Sequence, residues 1–315
     1  MDKYLDILKL WKIEEARLLE GAGFLNEHSN KKFRKIFEDN EGEKYLLESI
    51  SAEKIVEEEE RCRYLELVAQ GGSELKIISY LKNSNDNYFE KYEDFFVGVV
   101  KFVDGVAIDQ FKYLDECWRA VVAANFLIDL SEASSKTSTK NIALFSLKNF
   151  INDFVIKMEK YNNKEYLEVQ SIFKYLEKDF FLKYDDLPKS FCHGDFHIFN
   201  MIWNNKKLLA VIDWEFSSYC VEFYDAAFFV GCLGMENPAY LKKNIVLKFI
   251  KKLQESKKYK EESWKYFFDL FLAIRFLWLA QWLKFNNQEM IWLEIDYLNL
   301  IFNNKEEILK KWNLK

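Results

Sequence analysis

Proline and histidine are scarce in this chain, with two of the first and three of the second among 315 residues. Two prolines leave no room for a Pro-rich linker, and no internal repeat or low-complexity stretch divides the chain. Three histidines, beside five widely spaced cysteines with no Cys-x-x-Cys pair, are too few to complete a zinc-type site. Cys62, Cys117, Cys192, Cys220 and Cys232 therefore read as reduced thiols of a cytoplasmic protein. Excess positive charge is missing as well. Lys and Arg number 45 against 51 Asp and Glu, a net charge of −6, so nucleic acid is not expected as the main partner. The first residues, Met1 to Leu5, show no basic-then-apolar leader pattern. The most apolar stretch, 266–283, is interrupted by Asp269 and Arg275 and reads as a buried helix, with no membrane span expected.

What is present fits a folded protein with two cores. Apolar residues make up 50% and charged residues 30%, and the length suits about two domains. Aromatics reach 17%, enough for a large core and for a pocket that stacks a planar or cationic ligand. Residues 3–20 carry apolar positions at helical spacing, with a break near Lys12, and Gly21 and Gly23 end the segment. Two strand-like runs, 32–37 and 44–50, are joined by an acidic turn containing Gly42. The stretch 51–69 predicts a helix capped by Ser51 and stopped by Gly71 and Gly72. Further strands are predicted at 75–80 and 95–103. Beyond Asp104 and Gly105 the pattern turns helical, with helices over about 109–130 and 143–183 and again after Asp225. That shift sets the expected domains at 1–103 and 104–315.

The chemistry concentrates in Phe191-Cys-His-Gly-Asp-Phe-His-Ile-Phe-Asn-Met-Ile-Trp203 and Leu208-Leu-Ala-Val-Ile-Asp-Trp-Glu215. Two short apolar strands, 201–203 and 208–212, are joined by an Asn-rich connection that favours a hairpin. A hairpin brings its open ends together, which places Asn200 beside Asp213, with Asp195 on the loop feeding the same end. Sparse, hard oxygen donors with room for water and phosphate suit Mg²⁺ better than zinc. Phosphoryl transfer uses such a set: the metal neutralises phosphate charge while a separate carboxylate orients and deprotonates the attacking hydroxyl. Asp195 and Asn200 are five positions apart, the spacing of base and metal-binding Asn in the protein-kinase catalytic loop.

His193-Gly-Asp-Phe-His-Ile-Phe-Asn200 followed by Ile212-Asp-Trp-Glu215 resembles the aminoglycoside phosphotransferase and choline kinase-like superfamily. The resemblance implies an α+β, two-lobed protein-kinase-like fold, with a strand-rich N-lobe that binds nucleotide and a mainly helical C-lobe that carries catalysis and substrate. It implies Asp195 as catalytic base, Asn200 and Asp213 as Mg²⁺ ligands, and Glu215 as a supporting or second metal residue. His193 and Asp225 would be structural. Ser29 and Asn30 would end the phosphate-covering loop, and the backbone of Val100, Lys101 and Phe102 would hold the base of ATP or GTP. The implied reaction moves the γ-phosphate to a hydroxyl of a small molecule that is aminoglycoside-, choline- or sugar-like.

The resemblance breaks at one charged position. Where relatives carry a Lys on the third strand, Lys44-Tyr-Leu-Leu-Glu48 places Glu48. Lys44 shares its face, but four residues along a strand is on the order of 13 Å. Lys31, Lys32, Arg34 and Lys54 are candidates to offset the carboxylate. The alternative reading is a pseudokinase that binds or scaffolds without transfer. On the acceptor side, Arg275, Trp278 and Trp282 share one helix face. They read either as core packing with one buried ion pair or as a pocket wall, and Trp214 would line a ligand cavity.

Overall fold

The structure is a computed structural model that describes residues 2–19, 33–71, 75–109, 112–137 and 142–314. Helix α1 (Asp2–Leu8) runs into a 3-10 turn and stops at Lys12, whose φ of 61° is left-handed. The predicted break is there, but the helix does not resume. Ala16–Leu18 forms strand β1 instead, because its backbone pairs with β2 (Arg34–Asp39) and its small apolar side chains pack beside α1. Strand β3 (Lys44–Ile50), helix α2 (Ile55–Gly71), β4 (Phe89–Tyr92) and β5 (Phe95–Lys101) follow. The sheet order is β1-β2-β3-β5-β4, with every pair antiparallel.

Strand alternation assigns the two faces. Leu47 turns with Phe37, Val97 and Val99 toward the α1 side, where Leu8 and Trp11 complete a core. Ile50 turns the other way, toward Cys62 of α2 and Phe89. The strand predicted at 75–80 differs from expectation. Its backbone bonds are split: Ile78 N–H donates to the Val211 carbonyl while Leu81 N–H donates to Val99. No continuous ladder forms, and β4 takes the edge.

The chain continues through α3 (Cys117–Ser135), α4 (Leu147–Tyr161), α5 (Asn163–Lys178), α6 (Phe180–Lys183) and β6 (Lys189–Cys192). The predicted hairpin follows as β7 (Met201–Asn204) and β8 (Lys207–Val211), with Met201 opposite Val211. Strand β9 (Ser218–Val221) pairs antiparallel with β6. Helices α7 (Tyr224–Glu236), α8 (Asn244–Ser256), α9 (Glu261–Lys265), α10 (Phe267–Lys284), α11 (Gln288–Asn303) and α12 (Lys305–Trp312) complete the chain.

Two compact units result, and the first is discontinuous. It consists chiefly of Met1–Ala107 and Met201–Glu215; the second holds Ile108–Ser138, Ala143–Asn200 and Phe216–Lys315. The hairpin belongs to the first unit because Val211 bridges Ile77 and the Trp203 carbonyl accepts from Val106 N–H at 2.7 Å. Gly105 permits that approach, since a Cβ there would lie 2.5 Å from the Ile202 side chain. In the second unit α10 is buried along most of its length, and its two internal charges are satisfied there. Tyr175 donates to Asp269 at 2.5 Å, and Arg275 grips Glu294 of α11 through two bonds of 2.7 and 2.5 Å. Among the described residues no helix is long and apolar enough to cross a membrane.

Candidate active site

The loop from His193 to Asn200 is held by a buried carboxylate. Asp225, in the first turn of α7, accepts the N–H of His193 at 2.6 Å and of Gly194 at 2.9 Å. Gly194 has φ of 88°, and a Cβ there would lie 2.2 Å from the Phe216 carbonyl oxygen, so this turn admits no side chain. The ring of Phe196 anchors the next residue in the core, stacked on Phe126 at 5.8 Å. Between these two anchors Asp195 has no freedom to leave. Burial drives the Asp225 carboxyl up to about 7, against its two backbone bonds, and the nearby Asp195 charge adds to the rise.

Asn200 donates through its amide nitrogen to the Asp195 carbonyl at 2.9 Å and to Asp195 Oδ2 at 3.0 Å. His197 Nε2 stands 3.4 Å from the same Oδ2, while its Nδ1 accepts the Phe199 N–H at 3.2 Å. With Nδ1 accepting the Phe199 N–H, His197 presents an Nε2–H toward Asp195. Burial opposes the Asp195 charge, but the hydrogen bond and charge of His197, with His193 and Asn200 adding, outweigh it and hold the carboxyl below its ordinary value. The result is an ionised, oriented carboxylate. The sequence placed Asp195 and Asn200 together; it assigned no role to His197, although two residues after the Asp is close enough in a turn to have signalled one.

In the first unit, Asp213 follows β8 with φ of 66°, a left-handed conformation that Asp tolerates better than most residues. Glu215 stands 3.8 Å from Lys54. Trp214 is buried, and its indole N–H is spent on the Val211 carbonyl at 3.0 Å, so it packs its own unit. Glu48 is buried on β3, where Arg34 Nε contacts its Oε2 at 2.8 Å and Tyr80 donates to its other oxygen. Of the backbone groups expected to hold a base, the Phe102 N–H is committed to the Lys44 carbonyl at 2.8 Å, and Val100 and Lys101 pair with Leu46 and Tyr45. Ser29, Asn30, Lys31 and Lys32 lie outside the described residues.

The donor set fits a hard divalent cation. Because Asn200 spends its nitrogen on Asp195, its carbonyl oxygen is the end available to a metal. Among the described residues no group of three or more His, Cys, Asp and Glu is placed to hold a metal ion.

A cavity of about 190 Å³ opens in the second unit beside His197. Tyr113, Phe199, Trp278 and Trp282 form aromatic walls, and the exposed Glu236 adds a carboxylate. Trp278 and Trp282 stack at 5.9 Å. Arg275 also lines this cavity, yet its guanidinium is fully buried in the bidentate pair with Glu294, which satisfies it internally. On this face Trp278 lines the cavity, while Arg275 sits in a buried ion pair.

A phosphotransferase enzyme family model matches residues 28–241. Among solved structures, the chain is similar to a microcompartment-associated aminopropanol kinase, with 13% identity, 100% of this chain and 99% of that one covered, and a TM-score of 0.69. It is similar to an amicoumacin kinase in complex with AMP-PNP, Ca²⁺ and Ami, at 12% identity, with 95% and 93% covered and a TM-score of 0.67. A macrolide 2′-phosphotransferase from Brachybacterium faecium matches at 12% identity over 95% and 97%, with a TM-score of 0.61. No curated protein matches in sequence. These likenesses show the two-lobed α+β, kinase-like fold expected from the sequence.

Proposed function

The chain belongs to the phosphotransferase enzyme family, and from that premise we propose that it transfers the γ-phosphate of ATP or GTP to a hydroxyl of a compact amino alcohol or similar small acceptor. The observation that carries this reading is Asp195, held by Asn200 and by His197, and His197 in turn lines an aromatic cavity. In the proposal, Asp195 orients the acceptor hydroxyl and takes its proton, a role worth about 10²–10⁴-fold. His197 steadies Asp195 through Oδ2. Asn200 and Asp213 are assigned as oxygen ligands of Mg²⁺, with Glu215 supporting, on the sequence resemblance. Bound there, Mg²⁺ would neutralise charge on the phosphate oxygens.

The cavity narrows the acceptor. Drug-sized ligands occupy roughly 300–1,000 Å³, so about 190 Å³ argues for a molecule smaller than a multi-ring aminoglycoside. An anionic acceptor finds Arg275 already neutralised by Glu294, whereas an amine finds aromatic faces and Glu236. The five free cysteines support a cytoplasmic site of action. Melting temperature with ATP or GTP, each with and without Mg²⁺, tests the donor; a ligand at about 100 times its Kd adds roughly 2.7 kcal/mol. Transfer from the donor that binds should then be assayed on amino alcohols, sugars and aminoglycosides. Amino alcohols are expected to react best, and a preference for aminoglycosides would overturn the acceptor assignment.

The rival reading, a binding or scaffold pseudokinase, draws on Glu48 alone. No shift with either nucleotide would favour it.

A further inference from the structure

Glu48 sits where a phosphate-gripping Lys is expected, and an isolated carboxylate there would repel the donor. It is not isolated. On β2 the residue directly opposite is Arg34, and on β5 it is Gly98, so Arg34, Glu48 and Gly98 form one row across the sheet. Gly98 is required for what fills the row: a Cβ at this position would lie 2.6 Å from the Tyr80 ring. With no side chain there, Tyr80 packs in and its hydroxyl donates to Glu48. One Glu48 oxygen is thus held by Tyr80 and the other by Arg34 Nε at 2.8 Å. Glu48 is 3% exposed, but the Arg34 side chain is 33% exposed. Contact through Nε leaves the two terminal nitrogens of the guanidinium as a planar fork for a second partner.

We infer that Arg34 is the residue that grips the phosphates of the donor nucleotide, with Glu48 as its buried anchor, so that the cation stands on β2 and the anion on β3. The Lys expected on β3 is thereby replaced by a cation on β2 held by a carboxylate on β3. The assignment rests on the donor reading above. Burial alone would pull the Arg34 guanidinium down, yet the charge and hydrogen bond of Glu48, with Asp213 contributing, raise it above its ordinary value.

The test compares wild type, Arg34→Lys and the double variant Arg34→Met/Glu48→Gln. The double variant removes both charges together and keeps an oxygen for Tyr80, which guards the fold. Each protein is titrated with whichever of ATP or GTP shifts the wild-type melting temperature in the presence of Mg²⁺, and with the matching nucleoside. Loss of a charge-assisted bond predicts about ten- to a hundredfold weaker triphosphate binding in the double variant, a smaller loss in Arg34→Lys, and unchanged nucleoside binding. Equal triphosphate affinity in all three proteins would overturn the assignment. So would a parallel loss of nucleoside binding, which marks a merely structural role. A wild type that binds neither triphosphate would overturn the donor reading itself, and the Arg34 assignment with it.

Discussion

The catalytic loop of the second unit and the Glu48 row of the first unit solve the same problem in opposite ways. Both hold a carboxylate under burial beside a polar or cationic neighbour. In the loop, Asp195, His197 and Asn200 lie within six residues, and one turn brings them into contact. In the row, Arg34, Glu48 and Tyr80 come from three separate segments and meet through strand register. A group assembled within a turn is hard to relocate, because its spacing is its geometry. A group assembled across strands can move its charge to a neighbouring strand and keep the site's charge balance. The loop follows the pattern that the sequence resemblance implies, and the row departs from it.

The largest expected effect breaks the comparison on the loop side. Asp195→Asn should lower turnover by about 10²–10⁴-fold and leave nucleotide binding intact, as read by initial rates beside a melting-temperature shift. Near-wild-type turnover would remove Asp195 as the base. On the row side the corresponding effect is on stability. Arg34→Met alone strands Glu48 in a buried position, which should cost on the order of 3 kcal/mol. The double variant with Glu48→Gln should recover much of that in urea unfolding. If the single and double variants unfold alike, the pair contributes little to the fold.

The smallest effect is in pH and sharpens what anchors the loop. Folded Asp225 titrates at about 7, whereas an unfolded Asp titrates at about 4. Between those values the unfolded chain releases its proton first, so the Asp225 contribution is full below about pH 4 and is lost as pH rises through about 7. Asp225→Asn should flatten this part of the stability profile while weakening the grip on the His193 and Gly194 N–H groups. An unchanged slope of melting temperature between about pH 4.5 and 7.5 would show that another group titrates there.

Much of the candidate site was legible before the structure. Asp195, Asn200 and the hairpin before Asp213 follow from spacing and turn chemistry, and the loop's Asp–Asn contact is where that spacing places it. Local signals failed where partners were distant. The helical spacing of 16–19 lost to the pairing of β1 with β2, and the run at 75–80 divided its backbone between Val211 and Val99.

What the sequence by itself determined was the kinase-like class, the candidate loop from His193 to Asn200 and the charge at Glu48, since each is written in contiguous residues with fixed local geometry. Tertiary structure alone decided that Arg34 faces Glu48, that Gly98 admits Tyr80, and that Arg275 is spent on Glu294. It also decided that residues 201–215 pack with the first unit. These outcomes depend on strand register and helix packing, which arise from contacts between residues far apart in the chain, and a linear pattern does not encode which distant side chain arrives opposite which.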